Sequence, residues 1–444
     1  MTPHARNFDA SIRSMYQAIV SDDEPVDETN YAFQAPFRHA GLGFRRTEII
    51  SPLAYFASVF QAAQYLKDID PATTAALTDL GARLDDPDEE YDPLRDVRFR
   101  GGVPGRLIGA YEAARETFAG LEPELFPRNR LVLLQHIHEE ALPPDKLQRA
   151  LTREVEDLRH EEHTAGQEAG DKKRTISLSS SASVSVHTSH PVVSHAIPNK
   201  AMITTTKIRA GTLVLPDVTC ECGRAQLSVA HVLSCKKLRG RFARHDVIVR
   251  LLHSMLKDAG LVAQTETFIL PDSSKRMDIV IYMPDGRVIW VDVTVANTLA
   301  ESYVKQKKPA HEIREQAKTT KYGKQAEERN YIFIPAAIET HGEMGAGMLE
   351  LLKLIGQAAL DSHPFALECL PSRWIGDYSY RIKKRIAMTL AFGNHLMIEE
   401  ALMRSGSGPI RNARFCPAQR AEIVRKSYEK FWKETTFFRS ELGL

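Results

Sequence analysis

The chain has 444 residues, 43% of them apolar and 26% charged, with a formal net charge of +1, which excludes a low-complexity chain and leaves material for two or three cores. Charge is segregated along it: Lys67 to Arg95 holds nine acidic and three basic residues, whereas Lys236 to Arg250 holds six basic and one acidic. No charged and then apolar leader opens the sequence, and no apolar run approaches the roughly 20 residues of a membrane span, so the expectation is a soluble protein that is not secreted and has no membrane partner.

From Met1 to Arg174 the pattern predicts a helical region. SPLAYFASVFQAAQYL and RNRLVLLQHIHEEAL place apolar residues three and four apart, and polar breaks such as DDPDEEYDP separate them. From residue 175 to 215 the composition turns to Ser, Thr, His and Pro, which reads as a linker, although SVSVHT alternates as a short strand would. Next comes a compact Cys/His element over 216–240. Cys220 and Cys222 are followed after eight residues by His231 and after three more by Cys235, a set that suits the four tetrahedral ligands of a structural zinc; buried free cysteines are the alternative. Five cysteines, three of them within sixteen residues, favour metal ligation over a disulfide framework, and Cys369 and Cys416 read as core or surface thiols.

The helix that follows presents Arg239, Arg241, Arg244 and His245 beside further lysines and arginines. Such density suits phosphate neutralisation, and a solvated face is the alternative for any one of them. Residues 241–345 alternate helix and strand and predict an α/β core, followed by helices over 346–444. Within the core, Met277 to Val295 reads MDIVIYMPDGRVIWVDVTV, two apolar runs joined by a Pro-Asp-Gly turn with one aspartate in each. A three-residue loop with Gly286 left-handed makes every facing pair sum to 570, so Asp278 opposes Asp292; a two-residue loop would put them on opposite faces. Opposed, partly desolvated carboxylates share a proton or hold a hard divalent cation, unless Asp292 is a solvated edge residue and Asp278 a strand cap. Glu266 offers a third carboxylate one strand earlier. A metal-dependent nuclease needs such acids with a lysine; the position two beyond the second acid is Thr294, and the helix PAHEIREQAKTTKYGK offers Lys318, one turn before Tyr322, with Lys321 beside it.

Cys-x-Cys…His-x3-Cys, RFARHD, a lone Glu, RMDIVIYMPDGRVIWVDVTV and AKTTKY, in that order, resemble the C-terminal zinc knuckle and restriction-like endonuclease of site-specific non-LTR retrotransposon proteins. The resemblance implies an α+β fold: helical N-terminal region, small zinc knuckle, restriction-endonuclease-like core with a mixed sheet, helical C-terminal region. It implies nicking of a duplex DNA target, Mg2+ or Mn2+ held by Asp278 and Asp292, Lys318 as the catalytic lysine, zinc in the knuckle, element RNA as a further partner and a nuclear location. Met277 stands where the family often has proline. PFRHAGLGFRRTEIISPLAYFASVF resembles the region after the polymerase, yet Asp22-Asp23 and Asp85-Asp86 lie in polar segments rather than an apolar hairpin, so no polymerase palm is expected. A binding module without chemistry and a structure-selective resolvase with the same core are the competing readings.

Overall fold

A computed structural model describes residues 2–20, 30–66, 69–75, 144–188, 197–269, 275–362 and 371–405, with isolated positions between 106 and 117 and at 426. RNRLVLLQHIHEEAL, Asp22-Asp23, Asp85-Asp86, Cys369 and Cys416 lie outside the described residues. The fold is α+β, and the chain divides into two compact units, residues 1–36 with 43–167 and residues 37–42 with 168–444.

The first unit is helical: α1 (Thr2–Val20), the short α2 (Tyr31–Gln34), α3 (Thr47–Leu66) and α4 (Pro144–Ala165). The expected helix at 51–66 lies within α3 and buries Leu53, Phe56, Ala57, Phe60 and Ala63, the three- and four-residue spacing of one helical face. Asp9 on α1 accepts the N–H groups of Thr47 and Glu48, two of the donors that the first turn of α3 leaves open.

The second unit begins with α5 (Ala169–Ser179), α6 (Ser181–Thr188) and α7 (Asn199–Ala210). The linker expected over 175–215 is therefore largely helical, and SVSVHT is a helix rather than a strand. Its Ser, Thr and Val residues have modest helix propensity, but Ala182, Val186 and Ala201 pack on Ala387, Ala391, Phe392 and Leu396, and tertiary burial overrides composition.

After the Cys/His element and its single-turn α8 (Val229–Val232) comes α9 (Gly240–Asp258), whose Val247, Ile248, Leu251, Leu252 and Met255 form a buried face. Gly260, with φ of 80°, ends it: the N–H of Leu261 reaches back to the carbonyl of Leu256, a closure that favours glycine in the left-handed position. The sheet that follows is mixed, in the order β1 (Val262–Phe268), β2 (Arg276–Tyr282), β3 (Val288–Ala296), β4 (Ile332–Glu339), with β3 and β4 parallel and the other pairs antiparallel. The parallel pair needs a crossover, supplied by α10 (Glu301–Val304) and α11 (Ala310–Glu327).

The β2–β3 hairpin has the expected register: Ile279 pairs with Val291 and Tyr282 with Val288. Met283 N–H donates to Arg287 and Gly286, at φ of 87°, donates to Met283, as a three-residue loop requires. Both sheet faces are covered. Ile279, Ile281, Ile289, Val291 and Val293 face α9, α12 (Ala346–Ser362) and α13 (Pro371–Arg404), while Val280 and Trp290 pack with Tyr322 and Ala326 of α11. The C-terminal helices thus share one core with the sheet.

Candidate active site and metal centre

The alternation of β3 sends Val291 and Val293 toward α9 and Trp290 toward α11, so Asp292 follows Trp290 to the α11 side. Tyr322 packs in the Trp290 cluster. One helical turn earlier, about 6 Å along the axis, Lys318 comes over Asp292, two residues and roughly 6.6 Å along the strand. The Lys318 Nζ stands 2.6 Å from Asp292 Oδ2, and Thr294 donates to the same oxygen at 3.4 Å. Asp292 is 5% exposed. Burial pushes its carboxyl above the usual range; Lys318 opposes this, and the charge of Asp278 adds to it.

Asp278 sits where the antiparallel ladder ends, one residue before the Ile279–Val291 pair. Its side chain takes over the main-chain partner: Val293 N–H donates to Asp278 Oδ2 at 2.6 Å. His245, on the second turn of α9, reaches the same edge, with Nε2 3.3 Å from Asp278 Oδ2 and 3.1 Å from Val293 O, and Nδ1 3.1 Å from Asp246. Burial works against the imidazolium, but Asp246 and Asp278 outweigh it and lift His245 to about 10. Two carboxylates thus lie at one strand end, each met by an internal cation.

Lys318, not Lys321, meets Asp292; Lys321 is exposed with its Nζ over the Tyr322 ring. Glu266 falls opposite Asp278 in the β1–β2 register, between the pairs Thr265–Ile279 and Thr267–Met277. Its φ of 54° turns it out of the strand, and its exposed carboxylate meets Arg276 at 3.7 Å rather than joining Asp278 and Asp292. Arg239 is exposed and Arg241 half-buried, its guanidinium stacked on the exposed Phe242. Arg244 corrects the sequence expectation of a phosphate contact: it is 2% exposed and donates to Asn394 Oδ1 at 2.6 Å and to Leu233 O at 3.2 Å. The knuckle and α13 close over that side of the helix.

Cys220, Cys222, His231 and Cys235 bring their ligand atoms within 4.8 Å of one another. The Cys220 and Cys235 sulfurs are 3.8 Å apart and Cys222 Sγ is 3.3 Å from His231 Nε2. Metal–sulfur bonds of about 2.3 Å at tetrahedral angles give edges of roughly 3.8 Å, so the set fits a zinc-sized ion, and the separation is too long for a disulfide. Burial, first, raises the Cys220 thiol to about 11, and a bound cation would reverse that. The loop is built for this. Cys220 N–H donates to Ala225, and Ser228 caps the turn that carries His231. The element packs on Met397, Ile398 and Ala401 of α13, and Asn297, just past β3, donates to Ala230 O at 2.6 Å.

A second group, His311, Glu339 and Glu343, also lies within ligand distance of itself. Sequence reasoning missed it, because 28 residues separate His311 from Glu339 and no spacing joins them. Burial works against the Glu339 carboxylate, yet hydrogen bonds from His311 and Thr298 hold it down at about 2, while burial and Glu339 raise Glu343 to about 7. Glu339 accepts the N–H of His311 in the first turn of α11, which accounts for it as a helix cap. No described helix is long and apolar enough to cross a membrane. No protein-family model and no curated protein matches the chain.

Proposed function

We propose that the second unit is a metal-dependent endonuclease that nicks one strand of duplex DNA, of the kind carried by site-specific non-LTR retrotransposon proteins, acting in the nucleus. The observation that carries this reading is the Lys318–Asp292 pair at 2.6 Å beside Asp278 at the open end of the β2–β3 ladder. Magnesium or manganese would be held by Asp278 and Asp292, whose Oδ1 atoms have no hydrogen-bond partner among the described residues. When bound, such an ion polarises the scissile phosphate and lowers the pKa of a coordinated water. Lys318 then faces the phosphate as a donor to developing charge. His245 holds Asp278 in place, and Arg239, Arg241 and Lys321 supply cations for the flanking phosphates. Zinc would occupy the Cys3His set and fix the knuckle.

A binding module without chemistry is favoured by one feature: Lys318 and His245 already oppose both carboxylates. Incubation of purified protein with supercoiled plasmid in magnesium, manganese or chelator decides. Nicking that needs the metal, vanishes in Asp292→Asn and falls at least a hundredfold in Lys318→Ala is expected, the order of loss when one stabilising group is removed. Folded wild-type protein that binds DNA and nicks none with either metal leaves the binding module.

A further inference from the structure

Where α5, α6, α7, α13 and the turn after β4 meet, the second unit forms a partly open cavity of about 30 Å³, lined among others by Arg209, His341, Asn394 and Thr205. That volume admits one or two species of water size.

Arg209 is 1% exposed. Its Nε donates to Gly41 O at 2.7 Å, Nη1 to Leu178 O at 2.8 Å and Ser183 Oγ at 3.0 Å, and Nη2 to Phe37 O at 2.7 Å. Every acceptor is neutral. These bonds use all but one of the guanidinium N–H groups, and the remaining one is on Nη2. Among the described residues no anion meets this guanidinium; a buried cation so placed carries a large desolvation cost, and burial pushes Arg209 down to about 10.

His341, 7% exposed, also lines the cavity, and its Nε2 is buried with no hydrogen-bond partner among the described residues. Burial first, and then the charges of Arg174, Arg209 and Arg244 against the single opposing charge of Glu339, hold this imidazole neutral, at about 4. Asn394 Nδ2 donates to Thr340 O at 2.7 Å and keeps a second N–H, while its Oδ1 is taken by Arg244. Thr205 donates its hydroxyl to Ala201 O. Among the described residues the cavity therefore offers donors and a positive charge that no anion offsets, the Phe37 ring 5.3 Å from the guanidinium being neutral. A water would satisfy the donors but not the charge. Glu339 does not fill the need, since its oxygens are held by His311 and Thr298.

We propose that this cavity binds one small monovalent anion, chloride in ordinary buffers, between the Arg209 guanidinium, Asn394 Nδ2–H and His341 Nε2, with the neutral imidazole in the Nε2–H tautomer that an anion selects. The anion ties α7 to the turn after β4 and to α13.

Bromide is the probe. Crystals of the whole chain grown in sodium bromide should give an anomalous peak in this cavity. At constant ionic strength, replacing gluconate by chloride or bromide should raise the melting temperature by about 2–4 °C. His341→Leu removes the Nε2 donor and should abolish that halide-specific increment, whatever it does to the melting temperature in gluconate. Should His341→Leu fail to fold, the bromide peak in the wild-type chain decides alone. Equal melting temperatures in gluconate and chloride, a cavity holding only water density, or a His341→Leu chain that keeps the full halide increment overturns the proposal.

Discussion

Arg244→Ala separates a core arginine from a DNA-binding one, and its cost follows from the contacts that it removes. The guanidinium donates to Asn394 Oδ1 and Leu233 O from a site 2% exposed, and its stem packs against Gly393, where an added Cβ would stand 2.6 Å from Arg244 Cγ. A hydrogen bond from a charged group contributes about 1.5–3 kcal/mol, and truncation leaves two buried acceptors unsatisfied, so the loss is about 3–5 kcal/mol. For a unit of this size, 1 kcal/mol moves the melting temperature by about 2–4 °C, which gives a drop of about 6–20 °C. Arg239→Ala, on the same helix end but exposed, should stay within about 0.5 kcal/mol of wild type. Thermal melting and DNA binding at 25 °C on both variants check this. Arg244→Ala melting like wild type while losing DNA affinity would refute the reasoning, since it would place the guanidinium on DNA rather than in the core.

Chelation, or Cys222→Ser, should melt the segment from Cys220 to Cys235 and release one zinc per chain, read by native mass spectrometry; folded protein with no metal would count against the assignment. Arg239→Ala combined with Lys321→Ala should weaken binding to all duplex sequences alike and flatten the slope of log affinity against log salt by about 2, one for each phosphate no longer neutralised; an unchanged slope removes this face from DNA binding. His395, buried with Nδ1 2.9 Å from the Thr204 hydroxyl, is pushed down to about 4 by burial and then by Lys200. Its folded value lies below the unfolded one, so the unfolded chain binds more protons between about 4 and 6.5, and stability is lost as pH falls through that window. Melting curves should be less steep in pH for His395→Gln, and equal slopes would contradict the assignment.

What is legible in the sequence is set locally. Pro284-Asp285-Gly286 fixes a loop, the loop fixes the register, and the register places Asp278 and Asp292 at one strand end without knowledge of any other element. The Cys/His spacing works the same way, and Lys318 is legible through Tyr322, because helical periodicity carries an aromatic in the core and a lysine one turn away. What stays hidden depends on distant packing. Arg244 reads as one more cation in a basic run until α13 covers it, and Ser181 to Thr188 reads as a linker until Ala387 and Ala391 bury Ala182 and Val186. Glu266 follows the strand pattern, yet a left-handed φ turns its carboxylate to Arg276.

The same distant packing couples the knuckle to the acidic site. Glu221, between the first two cysteines, pairs with Arg404 at 2.6 Å; Arg404 Nε donates to Glu400 at 2.9 Å; and Glu400 accepts the N–H groups of Arg239 and Gly240 at 3.1 and 2.8 Å. A buried carboxylate at a helix N-terminus is held by the open N–H groups and the positive end of the dipole, so the start of α9 is fixed by α13 and, through Arg404, by the Cys/His loop. His245 stands five residues beyond Gly240, a turn and a half along, and from there it meets Asp278 and Val293 O. A shift of the α9 start by one residue would rotate His245 by about 100° around the helix and take it away from the strand end. The ions expected in the two sites thus differ in what they do. One would take part in the reaction at Asp278 and Asp292, and the other would hold, through one buried glutamate, the helix whose histidine keeps Asp278 in place.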